Sequence, residues 1–173
     1  MRQKVAYFGI FTALAMILSY IESLFPFFYG IPGVKLGLAN SMSLVILYLL
    51  GIPAAFLISA VRIVLTGILF GNLFSIVYSL AGGMISLTVM ILMRKSRLFS
   101  IQGVSMTGGL AHNIGQLAVA VCLIENLNLF YYLPVLLLSG MLTGLVIGFL
   151  SREILKRIPA SFRTNASADI QSE

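Results

Sequence analysis

The chain has 173 residues, is 60% hydrophobic and 9% charged, and has a mean hydropathy of +1.06. A soluble domain is about 45–50% apolar and about 25% charged, so this chain lacks the polar surface that a water-exposed fold needs. Its net charge of +6 sits in basic groups beside apolar runs, which is a pattern of membrane orientation rather than of nucleic-acid binding.

The elements predicted in chain order are all helical. Helix 1 covers about 4–24 and stops at Pro26. Its start, Arg2 and Lys4 before an apolar run, looks like a leader, but no A-x-A-like cleavage site follows, so it is read as a retained span. Pro26-Phe27-Phe28-Tyr29-Gly30-Ile31-Pro32-Gly33 forbids continuous helix. This aromatic, kinked loop is either a lid over a pocket or part of an interfacial belt. Helix 2 is short, about 35–50, and Gly51-Ile52-Pro53 turns the chain into helix 3 at 53–70. Gly71-Asn72 leads to helix 4 at 73–93, and a basic loop follows from Arg94 to Gln102. Helix 5 covers 104–124 and helix 6 covers 129–155, with Glu125-Asn126-Leu127-Asn128 between them. Cys122 has no partner for a disulfide and is expected to be a buried, inert thiol. Residues 1–158 form one six-helix transmembrane domain, and 159–173 are polar and expected to be a disordered cytoplasmic tail.

Orientation follows from the charges. Arg2 and Lys4, then Arg94, Lys95 and Arg97, then Arg152, Lys156, Arg157 and Arg163 all fall on one side of six spans. Lys35 and Glu125 fall on the other, so the positive-inside rule places both termini in the cytoplasm, the N-in/C-in arrangement.

Within the spans, small residues recur every fourth position: Gly140, Gly144 and Gly148 on helix 6, Gly67 and Gly71 on helix 3, Gly9 and Ala13 on helix 1. Such stripes let backbones approach closely; on helix 1 the stripe can equally dock a partner subunit. Arg62 lies in the middle of helix 3. A central arginine costs roughly 2.5–3.5 kcal/mol on insertion scales, so it should face the protein interior, as a ligand contact or as a structural ion. Glu22 is a candidate partner for Lys35 or Arg62. On helix 5, His112 and Gln116 share a face and Asn113 adjoins it. Gln116 and Arg62 lie at similar depth, so an outward pocket could collect both, although amides and imidazoles also simply join helices. Helix 4 offers Tyr78, Ser79, Gly82, Gly83 and Ser86 as pocket wall or packing surface.

Absent features narrow the function. Prenyl transfer by helical synthases needs aspartate clusters to hold magnesium and diphosphate, and the chain's one aspartate is Asp169. There is no Walker A or Gly-x-Gly-x-x-Gly motif, no convincing nucleophile–base constellation and no second histidine for a metal. No cofactor or metal is expected, and the chain is not expected to be an enzyme on its own.

The segments Gly33-Val34-Lys35-Leu36-Gly37-Leu38-Ala39-Asn40, Tyr78-Ser79-Leu80-Ala81-Gly82-Gly83 and Ala111-His112-Asn113-Ile114-Gly115-Gln116 resemble the small membrane family called Gx transporter proteins, also known as heptaprenyl diphosphate synthase component I. That family is similar in turn to the substrate-binding S components of energy-coupling factor (ECF) vitamin transporters, which are six-helix bundles. The resemblance implies a bacterial plasma-membrane protein that captures an anionic or aromatic small molecule. Lys35, Asn40, Arg62, Tyr78, His112, Asn113 and Gln116 are then its binding residues. Gly9 and Ala13 dock an ECF coupling subunit that works with ATPases, although the usual Ala-x-x-x-Ala form is not reproduced. Two alternatives stand beside it: a non-catalytic membrane accessory subunit of polyprenyl (heptaprenyl) diphosphate or quinone biosynthesis, and a purely structural subunit of a larger assembly.

Overall fold

The computed structural model describes residues 2–24 and 38–158. They form six α-helices and one short 3-10 segment: α1 (Arg2–Leu24), α2 (Leu38–Leu49), α3 (Ile52–Phe70), α4 (Leu73–Ser96), α5 (Ile101–Ile124), the 3-10 turn Leu127–Tyr132, and α6 (Leu133–Arg157). Four of these segments are long and apolar enough to cross a membrane: Ile52–Phe70, Leu73–Ser96, Ile101–Ile124 and Leu127–Arg157. The apolar stretches found on the other two helices, Phe8–Ile21 and Asn40–Leu49, are shorter. The aromatic loop, Lys35 and the polar tail lie outside the described residues.

The helix ends follow local chemistry. Gly51 takes φ 87°, a left-handed value that suits glycine, and Pro53 fits the first turn of α3, where a missing N–H costs nothing. Asn72 caps α4 by accepting from Ser75 N, and Ser100 caps α5 by accepting from Gly103 N. Helix α4 runs on to Ser96, past its expected end at residue 93. Arg94 and Lys95 complement the partial negative charge of its last turn. Arg94 Nη1 also donates to Leu47 O at 2.6 Å while its guanidinium lies 4.6 Å from the centre of the Tyr48 ring. This bond puts the C-terminal ends of α2 and α4 together at what we call the basic end. Helix α6 starts later than expected because Asn126 accepts from Asn128 N and winds the preceding residues into a 3-10 turn.

The helices pack in a ring of neighbours: α1 on α3, α3 on α4, α4 on α5, α5 on α6, α6 on α2 and α2 on α1. Helix α2 also touches α3 and α4, so it is the hub. Every residue from Ser41 to Leu49 is buried. Short polar bonds fix it to its surroundings: Ser43 Oγ and Ser59 Oγ of α3 are 2.9 Å apart, and Ser151 Oγ of α6 donates to Ser41 O at 3.4 Å. With 12 residues, α2 is about 18 Å long, roughly three-fifths of a span of about 30 Å. It lies in the basic half of the bundle, and the main apolar cluster (Leu44, Leu47, Ile58, Leu87, Val104 and Leu155 among it) surrounds it there.

The glycine stripes of α3 and α6 are packing surfaces. A Cβ on Gly144 would lie 2.8 Å from Met106 Cα, and one on Gly148 would lie 2.7 Å from Gln102 Cα. Gly140 sits against the backbone of Gly109, and Gly67 against Ile76 of α4. Cys122, expected to be buried, is exposed on the outer surface of α5. An apolar run satisfies itself against lipid as well as against protein, so hydrophobicity alone does not place a side chain inside.

Candidate functional site

Away from α2 and toward the Glu125 end, the interior becomes polar. Arg62 is buried at the middle of α3. Its Nη1 donates to Ser19 Oγ of α1 at 2.9 Å, and Ser19 Oγ donates in turn to Ala15 O at 3.0 Å. A charge in the middle of an apolar span is thus turned onto a neighbouring helix, as its solvation cost requires. One turn on, the Thr66 hydroxyl is buried and makes no hydrogen bond to a described residue. Tyr20 of α1 and Phe70 of α3 close the same seam, with ring centroids 4.8 Å apart. Glu22, the expected carboxylate partner, lies on α1, but its side chain is outside the described residues.

A second polar group lies between α4 and α5. Gln116 is 2% exposed. Its Cγ would be 2.6 Å from a Cβ on Gly82, and the His112 ring would be 3.1 Å from it. A larger residue at 82 would displace both side chains, so the small residue makes room for them. The adjacent Gly83 faces α3 instead, where Ile63 Cδ1 would be 2.9 Å from a Cβ. Tyr78 is half-buried one turn before Gly82 on the same helix face. The structure therefore gathers His112, Gln116 and the Tyr78–Gly82 face, with α4 standing between them and Arg62 on α3.

Asn113 turns the other way. Its Nδ2 donates to Leu136 O of α6 at 2.6 Å and to Ser139 Oγ at 3.4 Å, which joins α5 to α6. Asn40 is half-buried at the N-terminal end of α2, and its Nδ2 reaches Ser86 Oγ at 3.5 Å; Ser86 Oγ donates to Gly108 O at 2.8 Å. Gly9 and Ala13 are exposed, and no described residue lies within 4 Å of a Cβ on Gly9. The sequence reading overlooked Ser19 and Thr66, the hydroxyls on the Arg62 seam. Serine and threonine within apolar spans are the signal that finds such residues.

No three His, Cys, Asp or Glu side chains come together to hold a metal among the described residues. The ion pair of Arg157 with Glu153, at 3.1 Å, is exposed at the end of α6. The fold and its polar seams define an all-helical integral membrane protein whose costly groups are turned inward. The family described as heptaprenyl diphosphate synthase component I matches residues 11–154, and the chain belongs to that family. The chain is not an enzyme by itself. No curated protein and no solved structure matches it.

Proposed function

We propose that the chain is a non-catalytic membrane subunit that assists a separate enzyme of polyprenyl diphosphate or quinone side-chain synthesis. The family match carries this reading. The distribution of carboxylates supports it: with five acidic residues in the chain and one aspartate, in the tail, magnesium–diphosphate chemistry must be supplied by a partner. In this reading the protein sits in a bacterial plasma membrane as six spans, with the basic end and both termini in the cytoplasm, where a soluble synthase can meet it. Deleting the chain should alter quinone side-chain length or yield, and a prenyl synthase should co-purify with it. Unchanged quinones in the deletion strain would sink the proposal.

A second reading is favoured by Arg62 and by the exposed Gly9 and Ala13. It is an S-component-like subunit of an ECF-type uptake system that uses Lys35, Asn40, Arg62, Tyr78, His112, Asn113 and Gln116 to hold a small molecule. Mass spectrometry of the purified protein decides it. A stoichiometric small molecule that is lost in Arg62→Met supports uptake, and an empty protein in repeated preparations argues against it.

A further inference from the structure

The segment that joins α5 to α6 reads Leu-Asn-Leu-Phe-Tyr-Tyr over Leu127–Tyr132, and none of its six residues is buried. It is nonetheless fixed in shape. Asn126 Oδ1 accepts from Asn128 N at 3.0 Å, Leu129 N donates to Asn126 O at 3.3 Å, and Leu133 N donates to Phe130 O where α6 begins. In a 3-10 turn the side chains at i and i+3 eclipse, so six residues make three faces of two. Leu129 and Tyr132 form the least exposed face. Asn128 and Tyr131 form a polar face, with Tyr131 84% exposed. Leu127 and Phe130 form a wholly apolar face, 74% and 49% exposed. Apolar exposure continues on both sides of the turn, through Leu123 and Ile124 at the end of α5 and Val135 and Leu138 near the start of α6. Both helices are long and apolar enough to cross a membrane, so these side chains face lipid. After Glu125 no charged residue occurs until Arg152. Water does not suit Leu127 and Phe130, and the hydrocarbon core does not suit the Asn128 amide and the Tyr131 hydroxyl. The boundary between the two satisfies both faces at once.

We propose that Leu127–Tyr132 is a lipid-binding anchor that holds the α5–α6 hairpin at the membrane–water boundary, with Leu127 and Phe130 against the acyl chains and Asn128 and Tyr131 among the headgroups. The inference rests on the membrane embedding and is independent of both functional readings. The chain has no tryptophan, so a single substitution creates a unique fluorescent reporter. Phe130→Trp and Tyr131→Trp are made in the full chain and reconstituted in phosphatidylcholine vesicles. Quenching is then measured with lipid brominated near the head of its acyl chain and, separately, with aqueous iodide. The two positions are neighbours in sequence but lie on faces about 120° apart, so only a turn lying between two solvents separates them. Phe130→Trp should lose most of its emission to the brominated lipid and little to iodide. Tyr131→Trp should show the reverse, with its emission shifted to the red of Phe130→Trp. Leu127→Trp, on the same face as Phe130, should repeat the Phe130→Trp result and replaces it if that variant lacks normal helicity. Equal iodide quenching at both faces without bromine quenching would place the turn in water and overturn the proposal. Protection of both faces from both quenchers would overturn it too, because protein rather than lipid would then cover the turn.

Discussion

Replacing Gly144 by alanine tests whether the α5–α6 seam is as close as the structure has it. The new Cβ would lie 2.8 Å from both Met106 Cα and Ser105 O. These are backbone atoms, which cannot swing aside, so the helices must separate by about 0.6 Å to restore ordinary contact of 3.4 Å. Overpacking of this kind costs about 1–3 kcal/mol, against about 1 kcal/mol regained from helix propensity. The net expectation is about 0–2 kcal/mol of destabilisation for Gly144→Ala and clearly more for Gly144→Leu. Gly9→Ala is the internal control: no described residue lies within 4 Å of its Cβ, so the propensity gain dominates and stability should hold or rise by up to about 1 kcal/mol. The assay is equilibrium unfolding in mixed detergent micelles, followed by circular dichroism. If Gly144→Leu and Gly9→Leu shift the midpoint equally, the argument from helix proximity is wrong.

Other substitutions separate structural from functional roles. Arg62→Met loses the bond to Ser19 Oγ and should cost about 1.5–3 kcal/mol in detergent unfolding; the same change should reduce partner or ligand binding, and a destabilised variant with normal binding would mark Arg62 as structural. Asn113→Ala loses the bond to Leu136 O and should cost about 0.6–2 kcal/mol in detergent unfolding; unchanged small-molecule binding in this variant would remove Asn113 from the set that the uptake reading uses. Arg94→Gln removes the bond to Leu47 O and the contact with Tyr48 and should cost about 1–3 kcal/mol, with Arg94→Lys intermediate in the same assay. Glu125 ends α5 at φ 54°, so Glu125→Gly should raise the unfolding midpoint by the equivalent of up to about 1 kcal/mol.

The positions of the helices were legible because apolar runs are interrupted by residues with definite backbone habits, such as Gly51 with Pro53, and Gly71 with Asn72. The ends were less legible. The extension of α4 depends on Arg94 meeting a carbonyl 47 residues away in the chain, and no local pattern encodes that meeting. Periodicity correctly paired His112 with Gln116. It could not say that Asn113, one residue along, serves α6, because that depends on α5 having neighbours on two sides. The partner of Arg62 was obscure for the same reason: depth along a span can be counted from sequence, but that α1 is the helix beside α3 is a matter of topology. Cys122 shows the converse limit, since lipid and protein interior make the same demand on side-chain polarity.

The shortness of α2 bears on how the bundle is made. A span recognised by itself as it enters a bilayer needs about 20 apolar residues, and the described helix has 12. Its bond with Ser151 joins residues separated by 110 positions, so the hub cannot be fully enclosed until α6 has been synthesised. During translation this segment is the natural client for insertase or chaperone protection, and a truncation before α6 should leave a chain that enters the membrane but is degraded there.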